Sequence, residues 1–154
     1  MAPEGSLKFV LDENTASVAT LLRLSRAEAV DRIRTLPELD INPGTLDPAL
    51  LRQLGERGPH VLISRDSRIL HSLVQRGAWK EARVTLFLLE GKWGRLPLGE
   101  MARRLLYLWP YIIQQAESGP LGNAWRVAAG IPTPGGSTFR LVTGLHAGTK
   151  PDEG

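Results

Sequence analysis

A chain of 154 residues with 42% hydrophobic and 23% charged residues has the size and balance of one globular domain with a real core. No run approaches the roughly 18 apolar residues that a membrane-spanning helix needs, and Met1-Ala-Pro-Glu-Gly-Ser6 lacks the features of a secretory signal. The absence of cysteine excludes disulfides, thiolate metal sites and cysteine nucleophiles, so a cytoplasmic protein is expected; a net charge of +3 permits a polyanionic partner without demanding one.

Leu7 to Leu11 reads as a first strand, ended by Asp12-Glu13-Asn14. From Thr15 the residues Val18, Ala19, Leu21 and Leu22 fall at helical spacing. Ser25-Arg-Ala-Glu28 has the form of a capping box, which predicts a second helix with Ala29, Val30, Ile33 and Leu36 on its buried face and Pro37 as its stop. After a loop containing Pro43-Gly44, Asp47-Pro48 opens a third helix with Leu50, Leu51 and Leu54 facing inward. His60 to Ile63 is the second strand and ends in Ser64-Arg-Asp66. A helix is expected over 67–76, carrying Ile69, Leu70, Leu73 and Val74.

Val84 to Leu89 is nearly all apolar, as in a strand covered on both faces of a parallel sheet. Gly91-Lys-Trp-Gly94 turns the chain into the longest helical pattern, Leu98 to about Ala116, which Pro110 should kink or break. Ala124 to Ala129 and Ser137 to Thr143 form a late strand pair, expected at a sheet edge and antiparallel, and 146–154 a polar tail. The alternation of strands and helices predicts an α/β fold in three layers, with a mainly parallel sheet of about four to five strands flanked by helices. The organisation expected is a flexible N-terminus over 1–6, a principal domain over 7–129, a Gly/Pro-rich loop and possible edge strand over 130–145, and a disordered tail over 146–154.

Asp12, Asp47 and Asp66 each stand at the end of a strand or the start of a helix. Hard divalent cations such as Mg²⁺ or Mn²⁺ favour carboxylate and water oxygens, and a cation relieves the repulsion of acids held close together. Asp47 and Asp66 also have local explanations as helix caps, each worth ~1 kcal/mol. Asp12 has none of that kind, because an acid closing a buried strand costs desolvation unless something compensates it. Glu13 is available as an auxiliary ligand or base, Ser64 and Asn14 to orient carboxylates, and Arg65 and Arg68 to meet phosphate. His60, His71 and His146 have no ligand spacing; Trp79, Trp93, Trp109 and Trp125 could stack bases, but core packing or a hydrophobic interface is the expected role for most of them.

Phe9-Val-Leu-Asp-Glu-Asn14 together with Leu62-Ile-Ser-Arg-Asp66 resembles the PIN-like nuclease superfamily, in particular the compact branch of VapC-type toxin ribonucleases. Ser64 to Ile69, Val84 to Leu89, Gly91, Leu108-Trp-Pro110 and Gly119-Pro120 extend the likeness over most of 7–129. The resemblance implies that Asp12, Asp47 and Asp66 are the catalytic, metal-holding acids of a Mg²⁺- or Mn²⁺-dependent endoribonuclease, with Ser64 in place of a threonine. It implies an RNA substrate, a homodimer and an antitoxin protein as partner. The superfamily commonly carries a fourth acid on an intervening helix; Glu28 and Asp31 lie in that region without a matching motif, and Glu13 is the more economical substitute. Two rival readings are a non-catalytic PIN-like module that binds nucleic acid or protein, and a receiver-like phosphoacceptor, which the ending Leu89-Glu90 of the third strand disfavours.

Overall fold

The computed structural model describes residues 7–12, 15–41, 47–65, 83–89, 91–119, 121–129 and 138–142. The expected helix over 67–76, both chain ends and the Gly/Pro-rich segment 130–137 lie outside the described residues. Among the described residues six strands form one sheet: β1 (Lys8–Leu11), β2 (Ile33–Thr35), β3 (His60–Ser64), β4 (Thr85–Leu88), β5 (Ala124–Val127) and β6 (Phe139–Leu141). Their order across the sheet is β2-β1-β3-β4-β5-β6. The first five run parallel, and β6 closes the edge antiparallel to β5.

The central strands β1, β3 and β4 are buried on both faces because both are covered, whereas β6 at the edge is largely exposed. Alternation sends Phe9, Leu11, Val61, Ile63 and Phe87 into one core layer with α1 (Ala16–Leu24) and α3 (Leu98–Ser118). It sends Val10, Leu62, Leu86 and Leu88 into the other, against Leu50 and Leu54 of α2 (Asp47–Glu56). The three-layer α/β arrangement is therefore the expected one, with six strands in the sheet rather than four or five.

The extra strand is β2, and it replaces the predicted second helix. After α1, Arg26 and Ala29 take left-handed backbone angles (φ 52° and 58°), which no helix continues through. One 3-10 turn, Val30–Arg32, then leads into β2. The apolar residues expected on one helix face are divided by the sheet instead: Ala29, Val30 and Ile33 pack into the α1/α3 layer, and Leu36 into the α2 layer. Satisfying the free edge of β1, where Phe9 pairs with Ile33, outweighs the helical periodicity.

Two further expectations need correction. β5 is parallel to β4, so only β6 is antiparallel. The long helix runs through Pro110 without a break, its proline exposed, while Trp109, Ile112 and Ile113 on either side are buried. Trp109 stacks edge-on against Phe9 (centroids 5.3 Å apart) and its indole N–H donates to the Glu28 carbonyl at 2.7 Å. That bond fixes the turn after α1 in place of the helix that Ser25-Arg-Ala-Glu28 suggested.

Candidate functional site

The strand order reverses direction once. From β1 the chain steps outward to β2, then crosses to β3 on the other side of β1. In open parallel sheets ligands bind at such a switch point, outside the carboxyl ends of the two strands. Here those ends carry Asp12, directly after β1, and Ser64, the last residue of β3.

Asp12 is only 8% exposed. Its backbone N–H donates to the Ile63 carbonyl (3.4 Å), which carries the β1–β3 pairing to the acid itself. Its own carbonyl accepts the Thr15 N–H at 3.0 Å, closing a tight turn into α1. The Thr15 hydroxyl, fully buried, lies 3.1 Å from Asp12 Oδ1 and 3.3 Å from both the Asp12 and Ile63 carbonyl oxygens. One hydroxyl proton serves one acceptor at a time, and the carboxylate is the nearest and the most strongly attracting. The sequence predicts Thr15 as the opening of the helix; in the structure it makes no side-chain cap there and turns its hydroxyl back to Asp12. The signal was present in the sequence as an Asp followed three residues later by Thr at a strand–helix junction.

Ser64 is buried, and its carbonyl accepts the Leu89 N–H at 2.8 Å. Arg65 is half-buried and donates from its guanidinium to the Gly94 carbonyl at 3.3 Å. Asp47 is the first residue of α2, and its side chain lies outside the described structure, as do Glu13, Asn14, Asp66 and Arg68. Among the described residues no three His, Asp or Glu side chains come together as a metal-ligand set. Glu28 and Asp31, both exposed, precede β2, so the parallel sheet places them at its amino edge, away from Asp12.

An acid that follows β2, Glu38, was not singled out in the sequence. Its carboxylate accepts from Arg23 (2.8 Å), the Thr35 N–H (2.7 Å) and the Thr35 hydroxyl (3.1 Å). The Arg23 guanidinium, with the two Thr35 donors, holds its pKa down at about 2. The sequence signal is the capping-box spacing of Thr35-Leu-Pro-Glu38, of which the glutamate half forms here, Glu38 reaching back to the Thr35 N–H while the Thr35 hydroxyl turns to the same carboxylate. Glu38 thus fastens β2 to α1.

The 3-10 turn Gly91–Arg95 follows β4 and lies at the same edge. Trp93 is fully buried, with its indole N–H donating to the Val127 carbonyl at 2.9 Å; Lys92 and Arg95 are exposed. Trp109 is likewise a core residue and Trp125 is partly buried, so the expectation of core packing holds for Trp93 and Trp109; Trp79 lies outside the described residues.

A family model described as a PIN-like domain matches residues 7–91, which takes in β1 through β4 and the turn entered at Gly91. No curated protein and no solved structure matches the chain.

Proposed function

The chain belongs to the PIN-like domain family, and from that premise we propose that it is a metal-dependent ribonuclease acting as the toxin of a toxin–antitoxin pair. PIN-like domains are generally nucleases. The observation that carries the reading is Asp12: a buried carboxylate at the β1/β3 switch point, oriented by a buried hydroxyl.

In this reading Asp12, Asp47 and Asp66 hold Mg²⁺ or Mn²⁺, directly or through water, and Glu13 is an auxiliary ligand or base. The donor chemistry fits a hard cation: Asp12 offers carboxylate oxygens with about four lone-pair sites, of which the Thr15 hydroxyl takes one on Oδ1. The ion would supply a water of lowered pKa and stabilise charge developing on the phosphoryl group. Thr15 fixes the rotamer of Asp12, and Ser64 and Asn14 orient the neighbouring carboxylates. Arg65 or Arg68 would meet the phosphate backbone. RNA is the substrate, an antitoxin protein is the partner that covers the site, and the protein acts in the cytoplasm, as a homodimer.

Cleavage of single-stranded RNA in Mg²⁺ or Mn²⁺ tests the assignment, with wild type compared against Asp12→Asn and Asp66→Asn. Activity indifferent to both changes sinks it. Thermal melting separates metal binding from chemistry: Mn²⁺ should raise the midpoint of wild type by linkage and leave Asp12→Asn less affected. For the toxin role, induced expression should arrest bacterial growth and Asp12→Asn should relieve the arrest.

A further inference from the structure

The parallel sheet brings the turn Gly91–Arg95 to the same edge as Asp12, and three hydrogen bonds connect the two in sequence. Asp12 N–H meets the Ile63 carbonyl (3.4 Å), Leu89 N–H meets the Ser64 carbonyl (2.8 Å), and the Arg65 guanidinium meets the Gly94 carbonyl (3.3 Å). β4 is the second strand over from β1, so the two strand ends are about 10 Å apart, two strand spacings, with the turn following the β4 end.

The turn is a built feature. Gly91 enters it with φ +67°, a left-handed angle that suits glycine, and Trp93 anchors it by full burial and its bond to Val127. In a 3-10 helix residues three apart eclipse one another. Lys92 and Arg95 have that spacing, so both point the same way, while Trp93 between them points into the core. Neither cation makes an ion pair among the described residues, whereas Arg23, Arg103 and Arg104 are matched with Glu38 and Glu100. Two parallel like charges repel, and a polyanion laid across them removes that cost.

We infer that Lys92 and Arg95 hold the phosphate backbone of the RNA on the β4 side of the site, with Arg65 as the positioning residue that ties their turn to the end of β3. The inference rests on the ribonuclease reading above for the identity of its ligand. Its geometry belongs to this turn alone.

Binding of a short fluorescein-labelled single-stranded RNA to the full-length Asp12→Asn protein, titrated at several salt concentrations in Mg²⁺ buffer, isolates binding from cleavage. Adding Lys92→Ala and Arg95→Ala should weaken binding and flatten the slope of log Kd against log salt by about 1.4, or two single-strand phosphate contacts. The comparator is Arg26→Ala with Arg57→Ala, two exposed arginines at the amino edge whose removal changes net charge equally and should leave the slope alone. An unchanged slope in the Lys92/Arg95 variant, or an equal fall in the comparator, overturns the clamp. If wild type cleaves RNA while the slope is unchanged, the clamp fails and the ribonuclease reading stands. A reduced slope with no cleavage by wild type keeps the clamp and removes the catalytic reading.

Discussion

The paired strands β1 and β3 bury a titratable side chain at each end of the sheet, and the two ends treat it in opposite ways. At the carboxyl edge Asp12 is met by the Thr15 hydroxyl and stands where a ligand can reach a switch point. At the amino edge His60, 1% exposed, is in register with Lys8. Its Nδ1 lies 2.9 Å from the Gly58 carbonyl, which can only accept, so that nitrogen carries the proton. Nε2 is then a lone pair, with no hydrogen-bond partner among the described residues. Burial pushes the His60 pKa below 6.5, against the Gly58 and Leu54 carbonyls and with help from the charges of Lys8 and Arg57. One edge sets a carboxyl beside a hydrogen-bond donor; the other keeps an imidazole neutral. The same pair of strands therefore offers one end for chemistry and uses the other for packing.

The sharpest way to break this contrast is Asp12→Asn, which keeps an acceptor for Thr15 and removes the charge. RNA cleavage should fall by about a hundredfold or more, the scale of losing a group that handles a proton or a metal-bound water. Folding stability in metal-free buffer should change by less than about 1 kcal/mol in urea denaturation. A large loss of stability would make Asp12 structural and erase the difference between the edges.

Thr15→Val comes next. It leaves a buried carboxylate short of a donor, so about 1–2 kcal/mol of stability should go, read from the urea midpoint, and cleavage should drop because Asp12 loses its orientation. Retention of both would show that Thr15 only fills space.

The amino edge is probed by pH. Because the folded-state pKa of His60 is depressed, its contribution is complete above the unfolded value of 6.5 and is lost progressively as pH falls below it. The melting temperature should decline on going from pH 7.5 to 5.5, and His60→Leu should flatten that decline. An equally steep profile in His60→Leu would locate the titration elsewhere.

The smallest effect is expected for Glu38→Gln, since the Arg23 pair is largely exposed: a few tenths to about 1 kcal/mol at neutral pH. Glu38 is also depressed, from 4.5 to about 2, so its share is present above pH 4.5 and disappears between 4.5 and about 2. That window does not overlap the onset of the His60 loss, and acid melts of the two variants should separate them.

The two capping-box spacings show where sequence reading succeeds and fails. Ser25-Arg-Ala-Glu28 and Thr35-Leu-Pro-Glu38 have the same local form, yet only in the second does the glutamate reach back to the first residue's N–H: the Ser25 N–H is already taken by the Leu21 carbonyl at the end of α1, and Trp109 from α3, 81 residues away in the chain, holds the turn through the Glu28 carbonyl. Pro110 is a similar case. Its local cost is real, but burial of Trp109, Ile112 and Ile113 holds the helix together around it. By contrast β1, β3 and β4 were legible because a strand buried on both faces is written as an unbroken apolar run.

From the sequence alone came the α/β class, the parallel central strands, the strand-end position of Asp12 and the resemblance to the PIN-like superfamily, all of which depend on near-neighbour patterns. The tertiary structure decided that β2 is a strand, that the switch point falls between β1 and β3, and that the Thr15 hydroxyl serves Asp12. It also decided that a tryptophan-anchored turn aims Lys92 and Arg95 from the same edge. Each of these depends on which distant segment occupies a free edge or a buried partner position, and local periodicity carries no information about that choice.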